Sequence, residues 1–135
     1  MQLLWAGGPG LEIAGQDQLD DALDALLARP AGSEPMVAYL TGDAGALGLG
    51  LDPAGGGLLL FAASGPGRRT LHGVGDPRGD TGELAYWVSG RRYIFSGRCR
   101  IAAHMVRTAA RQFLATGELP GCVTWEPEPG AEDNS

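Results

Sequence analysis

The chain contains no lysine, so all ten of its positive charges are arginines. It contains no apolar run close to the roughly 20 residues that a membrane-spanning helix needs. Residues 1–5 carry none of the basic residues that open a signal peptide. We therefore expect no signal peptide, no membrane as a partner, and a cytoplasmic location.

Cysteine is also scarce, and Cys99 and Cys122 are the two thiols of the chain. Neither has a cysteine or histidine nearby at the spacing of a metal-ligand motif. Disulfides are rare in a reducing compartment. We expect two reduced, buried thiols, no metal ion and no cofactor.

Sixteen acidic residues outnumber the arginines and give a net charge of −6. Direct binding to nucleic acid needs clustered basic side chains, and a negative chain does not favour it. An acidic surface suits a basic protein partner instead.

The 135 residues are enough for one domain with a core of its own, and 44% of them are hydrophobic. The end of the chain is acidic and rich in proline and glycine. We predict one domain over residues 1–127, followed by a disordered tail over residues 128–135.

The segment Asp17–Ala28 repeats leucine and alanine on one face, which predicts an amphipathic helix. Asp17 is placed to cap its N-terminus, because a side-chain carboxylate there accepts hydrogen bonds from free backbone amides.

A second helix is predicted from about Arg100 to Ala115. Arg107 and Arg111 lie one turn apart, and we expect both on the solvent face. Gly117 is a typical left-handed residue at a helix C-terminus, and Pro120 prevents continuation.

Short apolar runs between the helices, parted by Gly, Pro, Asp and Ser, predict strands. They cover residues 36–41, 46–51, 58–63, 70–74, 83–88 and 92–95. An opening hairpin is predicted at 3–5 and 11–13, and a last strand at 123–126. The sequence thus predicts an α+β domain with a mostly antiparallel meander sheet, two amphipathic helices and a C-terminal strand that carries Trp125.

Successive turns of an antiparallel meander alternate between the two ends of the sheet. The turns at 52–57 and 75–82 would then share one end, which carries four carboxylates: Asp52, Asp76, Asp80 and Glu83. The turns at 42–45, 64–69 and 89–92 would share the other end, which carries mostly arginines. Solvated turn carboxylates are ordinary, so a binding role for the four acids remains one of two interpretations.

Catalytic signatures are missing from the sequence, which has no P-loop, HExxH, Gly-x-Ser-x-Gly or CxxC motif. His72 and His104 belong to no nucleophile motif, and we expect structural roles for both. Cys99 lies between two arginines near a predicted helix start, a setting that lowers a thiol pKa. We predict that the protein is not an enzyme and keep a reaction at Cys99 or His104 as the remote alternative.

A hairpin near the middle of the chain mixes aromatic residues with arginine. Strand alternation places Tyr86 and Val88 on one face and Trp87 on the other, so one set belongs to the core. The other set is either ordinary surface or a binding patch, because Trp, Tyr and Arg dominate interface hot spots. Trp87 and Tyr93 are the candidate anchors.

The order of these motifs resembles the first-numbered family of immunity proteins of bacterial polymorphic toxin systems, over about residues 1–127. The residues that carry the resemblance are Trp5, Gly73-x-Gly-Asp76, Tyr86-x-x-x-Gly90, Phe113-Leu-x-Thr-Gly117-x-x-Pro120 and Val123-x-Trp125. The resemblance implies an α+β fold and an inhibitor that binds a toxin, often a deaminase.

The sequence therefore favours an immunity protein that binds a cognate toxin, one to one, and covers its active site. The candidate contact residues are Asp52, Asp76, Asp80, Glu83, Trp87 and Tyr93. The alternative is a small-ligand or regulatory binding module, with a pocket lined by Trp87, His72 and Tyr93.

Overall fold

The computed structural model describes residues 1–5, 10–28, 35–52, 56–63, 70–75, 82–88 and 90–127. Within these residues the chain forms nine strands, two α-helices and a short 3₁₀ helix over Gly97–Cys99. The strands are β1 (Gln2–Leu4), β2 (Leu11–Glu12), β3 (Met36–Thr41), β4 (Gly45–Leu51), β5 (Gly57–Ala63), β6 (Thr70–Val74), β7 (Glu83–Val88), β8 (Arg91–Ser96) and β9 (Thr124–Pro127). The helices are α1 (Gln16–Leu27) and α2 (Ala103–Thr116). The predicted α+β fold is confirmed.

The sheet has the strand order β2-β1-β3-β4-β5-β6-β9. Strands β3 to β6 form the predicted antiparallel meander, and β1 and β2 form the predicted opening hairpin. The expected continuation of the meander into β7 is wrong. Strand β6 pairs with β9, whereas β7 pairs in parallel with the start of β3, where Val88 lies beside Val37.

The central sheet is covered on both of its faces. Helices α1 and α2 cover the face that we call the helix face, where the buried side chains of β3, β4 and β5 are Ala38, Leu40, Leu47, Leu49, Leu51, Leu59 and Phe61. The β7–β8 hairpin covers part of the opposite face, which we call the hairpin face. There Leu84, Tyr86 and Phe95 pack with side chains of β3 and β5. The alternation of strand side chains thus supplies two apolar clusters from one sheet.

Helix α1 begins one residue earlier than predicted, and its N-cap is Gly15. Asp17 lies in the first turn and forms no side-chain cap. The Gln18 side chain instead reaches back and accepts a hydrogen bond of 2.7 Å from the backbone amide of Ala14. This bond ties the residue before the N-cap to the first turn of the helix.

The arginines of α2 correct a second expectation. Arg107 and Arg111 do not simply face solvent, because both donate hydrogen bonds to Asp20 on α1. Arg107 also pairs with Asp24, one turn further along α1. The two helices are therefore joined by ion pairs along the edge where they meet.

Helix α2 begins at Ala103 rather than at Arg100, because the preceding segment pairs with the sheet. The amide of Ile101 donates to the carbonyl of Gly57 at 2.9 Å, and the amide of Gly75 donates to the carbonyl of Arg98 at 3.0 Å. A Cβ atom on Gly75 would lie 1.9 Å from the carbonyl oxygen of Arg100. A side chain at position 75 would prevent this close approach.

The C-terminal end of α2 follows the sequence prediction. Gly117 is left-handed with φ 73°, and its amide donates to the carbonyl of Phe113. Pro120 accepts a hydrogen bond of 2.7 Å from the indole nitrogen of Trp125 on β9. The Phe61 ring makes edge contacts with the rings of Phe113 and Trp125, which fixes α2 and β9 against the helix face.

Candidate functional site

The largest exposed apolar side chains of the hairpin lie close together on its two strands. Trp87 is 40% exposed, Tyr93 is 41% exposed and Ile94 is 48% exposed. Monomeric proteins rarely concentrate large exposed apolar side chains without a use for them. The hairpin is therefore the candidate functional site.

The register of the hairpin decides which way each side chain points. Trp87 lies opposite Arg92, and Tyr86 lies opposite Tyr93. Tyr86 is buried against the sheet, so Trp87 faces outward, as the alternation predicted. Ile94 is two residues from Arg92 and shares the outer face with it.

The inner side of the hairpin forms a cleft with the sheet, of about 200 Å³. Three residues of the sheet and three of the hairpin line it: Tyr39, Leu60, Thr70, Val88, Tyr93 and Phe95. The cleft thus lies between the hairpin and the sheet, at the border of the part of the hairpin face that the hairpin leaves uncovered.

Beyond the cleft, the hairpin face carries a row of directly paired residues on five neighbouring strands, β1, β3, β4, β5 and β6. We call it the floor row, and its members are Gln2, Thr41, Ala46, Ala62 and Thr70. All five are exposed or half-buried. Four of them are alanine or threonine, so few bulky side chains stand above the sheet there.

The pocket predicted for a small ligand is not formed as expected. Of its three predicted residues, Tyr93 lines the cleft and Trp87 lies on the outer face of the hairpin. His72 is buried in β6, and its Nε2 lies 3.7 Å from Oε1 of Glu126. Arg98 donates to the other oxygen of Glu126 at 3.0 Å. His72 therefore belongs to the junction between β6 and β9.

Arginines lie at the predicted acidic end of the sheet beside its carboxylates. Asp52 is half-buried next to Gly56, against which the side chain of Arg100 packs. Arg98 lies at the same end through its backbone bond to Gly75. Glu83 is exposed at the start of β7. Asp76 and Asp80 lie outside the described residues.

The predicted basic end also changes, because β7 runs beside β3. Val88, the last residue of β7, pairs with Val37 near the start of β3, and the hairpin turn with Gly90 comes directly after it. The hairpin turn and Arg91 therefore do not join the turn at 42–45 at the end of the sheet where β3 finishes. The predicted turn at 64–69 lies outside the described residues.

Tyr86 couples Asp52 to the core of the hairpin. Burial raises the pKa of the Tyr86 phenol, the negative charge of Asp52 raises it further, and the positive charge of Arg100 lowers it. The phenol therefore stays protonated through the neutral range.

The candidate reactive groups are arranged for structure rather than for chemistry. Cys99 is buried, which removes the accessible thiol that a reaction needs. Cys122 is half-buried, and desolvation raises its pKa. Among the described residues, no group of three or more His, Cys, Asp or Glu side chains could hold a metal ion. In the same part of the chain, no helix has the length and apolar character of a membrane span.

A family model connects this architecture to known proteins. The model of the family Immunity protein Imm1 matches residues 7–127. The chain belongs to the Imm1 family. A comparison with curated proteins finds no match. Membership in Imm1 supports a toxin-neutralising role, implies a cognate toxin as the partner, and suggests a protein without catalytic activity.

The motif residues of the Imm1 resemblance have structural roles in this fold. Tyr86 fills the space above Gly50, and Gly90 turns the hairpin with φ 83°. Gly75 allows the backbone of Arg100 to approach, and Trp125 bonds to Pro120. In this chain these motif residues therefore maintain the fold.

Sequence reasoning missed Ile94 and the floor row. Ile94 had a usable signal, because alternation with Tyr93 and Phe95 places it on the outer face with Trp87. The floor row had none, because its members come from five strands and meet only through their register.

Proposed function

We propose that this Imm1 protein neutralises its cognate toxin by direct one-to-one binding that covers the toxin active site. The observation that carries the proposal is the hairpin, which presents Trp87, Tyr93 and Ile94 within one short element. Aromatic side chains of this kind anchor interfaces because each buries a large area when it enters a pocket.

We further propose that the toxin is a nucleic-acid or nucleobase deaminase. A toxin that acts on nucleic acid needs a basic substrate groove, and the net charge of −6 on this chain attracts such a groove at long range. The deaminase assignment rests on the resemblance of the motifs, and the charge supports it.

The carboxylates that steer association are proposed to be Asp52, Asp76, Asp80 and Glu83. Glu83 is the best placed of the described pair, because it is exposed at the start of β7. Asp52 is half-buried and electrostatically coupled to Tyr86, so its contribution is weaker. Asp76 and Asp80 are included in this proposal on the basis of the sequence alone.

The first test is co-expression with the toxin domain encoded beside this chain. We expect the wild-type protein to restore growth and to co-purify with the toxin. Trp87→Ala and Tyr93→Ala should each weaken the complex by about tenfold or more, the loss typical of an interface hot spot. Leu119→Ala is the matched control, because Leu119 is also 40% exposed and lies beyond α2.

The charge proposal is tested by association rates. Glu83→Arg should slow association several-fold at low salt, and the difference should shrink as salt screens it. Glu118→Arg is the control, because Glu118 is exposed just beyond α2. Equal rates for both variants would remove Glu83 from the interface.

The mechanism is tested with the purified toxin. If it deaminates single-stranded DNA or free nucleosides, equimolar immunity protein should stop turnover and compete with substrate. A toxin that stays active within a stable complex would contradict occlusion. A toxin of another chemistry would contradict the deaminase assignment and leave the neutralising role intact.

A further inference from the structure

Among the described residues, the edge of β8 that faces away from β7 pairs with no other strand. Among the described strands, β8 pairs with β7 alone. The amide of Trp87 donates to the carbonyl of Pro35, away from β8, so the backbone groups of this position point outward from the hairpin ladder. In an antiparallel ladder the opposite residue, Arg92, then also points outward, and Ile94 follows two residues later. The amide and carbonyl of Ile94 therefore face the open edge.

The open edge lies above an accessible floor. Strand β8 contributes two residues to the cleft, Tyr93 and Phe95. Strand β7 contributes Val88, and its Tyr86 rests on Gly50 instead. Strand β8 is thus the hairpin strand nearer to the uncovered part of the hairpin face. The floor row continues from Thr70 across the sheet and adds no bulky side chain except Gln2.

We propose that the β8 edge and the floor row together form a slot that receives an extended segment of the cognate toxin as an added strand. The proposal rests on the toxin-binding function argued above and assigns its binding mode. Backbone hydrogen bonds to β8 would supply affinity, and side chains that alternate toward the floor would supply specificity. Small floor residues let the added backbone lie close to the sheet.

The fold argues against a second copy of this chain as the occupant. In each copy the inner side of the hairpin already rests on its own sheet, through Tyr86 on Gly50. A second β8 over this floor row would bring its own sheet with it, because the two are packed together. An extended loop or terminal segment of a toxin has no such layer behind it and needs less space.

Charge indicates what the segment carries. The chain has a net charge of −6, yet Arg91 is exposed at the start of β8. Opposite charges on neighbouring strands stabilise their pairing, so we expect a carboxylate in the segment near Arg91. The cleft of about 200 Å³, lined by Tyr93, Phe95 and Leu60, suits one apolar side chain of the same segment.

The backbone contribution is tested by comparing Ile94→Pro with Ile94→Ala in the full chain. Proline removes the outward amide without removing a bond to β7, whereas alanine removes the side chain and keeps the amide. With the toxin domain encoded beside this chain as the probe, we expect Ile94→Pro to bind at least about tenfold more weakly than Ile94→Ala, the effect of about one lost hydrogen bond plus the obstruction by the ring. Equal affinities would overturn the proposal.

A second variant keeps the test valid if the proline disturbs the hairpin. Ala62→Arg fills the floor with a long side chain at a half-buried position of β5, and Ala115→Arg adds the same side chain on exposed α2. We expect Ala62→Arg to lose toxin binding by at least about tenfold while its melting temperature stays near that of Ala115→Arg. Unchanged binding by both would overturn the slot.

Hydrogen exchange provides a direct readout on the wild-type protein. Toxin binding should slow amide exchange in the peptide that covers residues 91–96, because the amide of Ile94 gains a partner. If wild-type protein binds and neutralises the toxin without this protection, the slot is wrong and the proposed function stands. If it neither binds nor neutralises, the proposed function fails first. If the wild-type protein forms a dimer and Ile94→Pro is monomeric, the edge of β8 binds a second copy of this chain, and the proposal is overturned.

Discussion

The aromatic ring of Tyr86 lies directly on Gly50 of the central sheet. A Cβ atom at position 50 would be 2.6 Å from Cε2 of Tyr86, well inside contact distance. This close approach helps to hold the hairpin against the sheet, together with the packing of Leu84 and Phe95.

Gly50→Ala should therefore destabilise the protein by about 1–3 kcal/mol, the usual cost of adding a methyl group to a packed core. Urea denaturation measures the difference. Gly121→Ala is the control, because a Cβ there meets nothing within 4 Å. A Gly50→Ala protein as stable as the control would show that the ring does not pack on this glycine.

The ion pairs between the helices can be tested with two adjacent aspartates on α1. Asp20 accepts from Arg107 and Arg111, whereas Asp21 is exposed. Asp20→Asn should lower the free energy of unfolding by about 0.5–1 kcal/mol, because the pairs are only partly buried. Asp21→Asn should change it by less. The gap between the variants should narrow at about 1 M salt, and a gap that persists would point to packing rather than charge.

Stability should fall with pH above the ordinary tyrosine pKa of about 10. Burial and Asp52 raise the pKa of Tyr86 in the folded protein, so above that pH the unfolded chain releases its proton while the folded chain keeps it. The stabilisation is complete below about pH 10 and is lost as the pH rises through the folded pKa. Denaturation at several pH values between about 8 and 11 gives the free energy of unfolding as a function of pH. This free energy should fall less with pH for Tyr86→Phe than for wild type. Parallel curves would contradict the shift.

The thiols should differ in reactivity under native conditions. Cys99 is buried and should resist iodoacetamide until the protein unfolds. Cys122 is half-buried with a raised pKa, so its alkylation should be slow near neutral pH and accelerate only above the range of a free thiol. Mass spectrometry of Cys99→Ser and Cys122→Ser assigns each rate. Rapid native labelling of Cys99 would reopen a reactive-thiol role.

Local patterns predicted most of the elements. Turn residues between the apolar runs predicted strands at 36–41, 70–74 and 83–88, with the boundaries that the structure has. Gly117 was recognised as a helix end because its left-handed backbone is a local requirement. Each of these features depends on a few neighbouring residues.

Pairing between distant segments could not be predicted in the same way. The pairing of β7 with β3 and the contact of Tyr86 with Gly50 join residues far apart in the sequence, and no local pattern reveals them. The ion pairs of Arg107 depend on where α1 lies. The floor row depends on the register of five strands. The candidate site was therefore found in part, through Trp87 and Tyr93, and its surroundings were found only with the fold.

The two apolar clusters on opposite faces of one sheet differ in size. Among the described residues, the cluster under the hairpin is much the smaller. Trp5 and Trp125 pack with the larger cluster, whereas Trp87 lies exposed on the hairpin. A small buried cluster lowers the free energy of local opening, so we expect β7 and β8 to open before either helix unfolds.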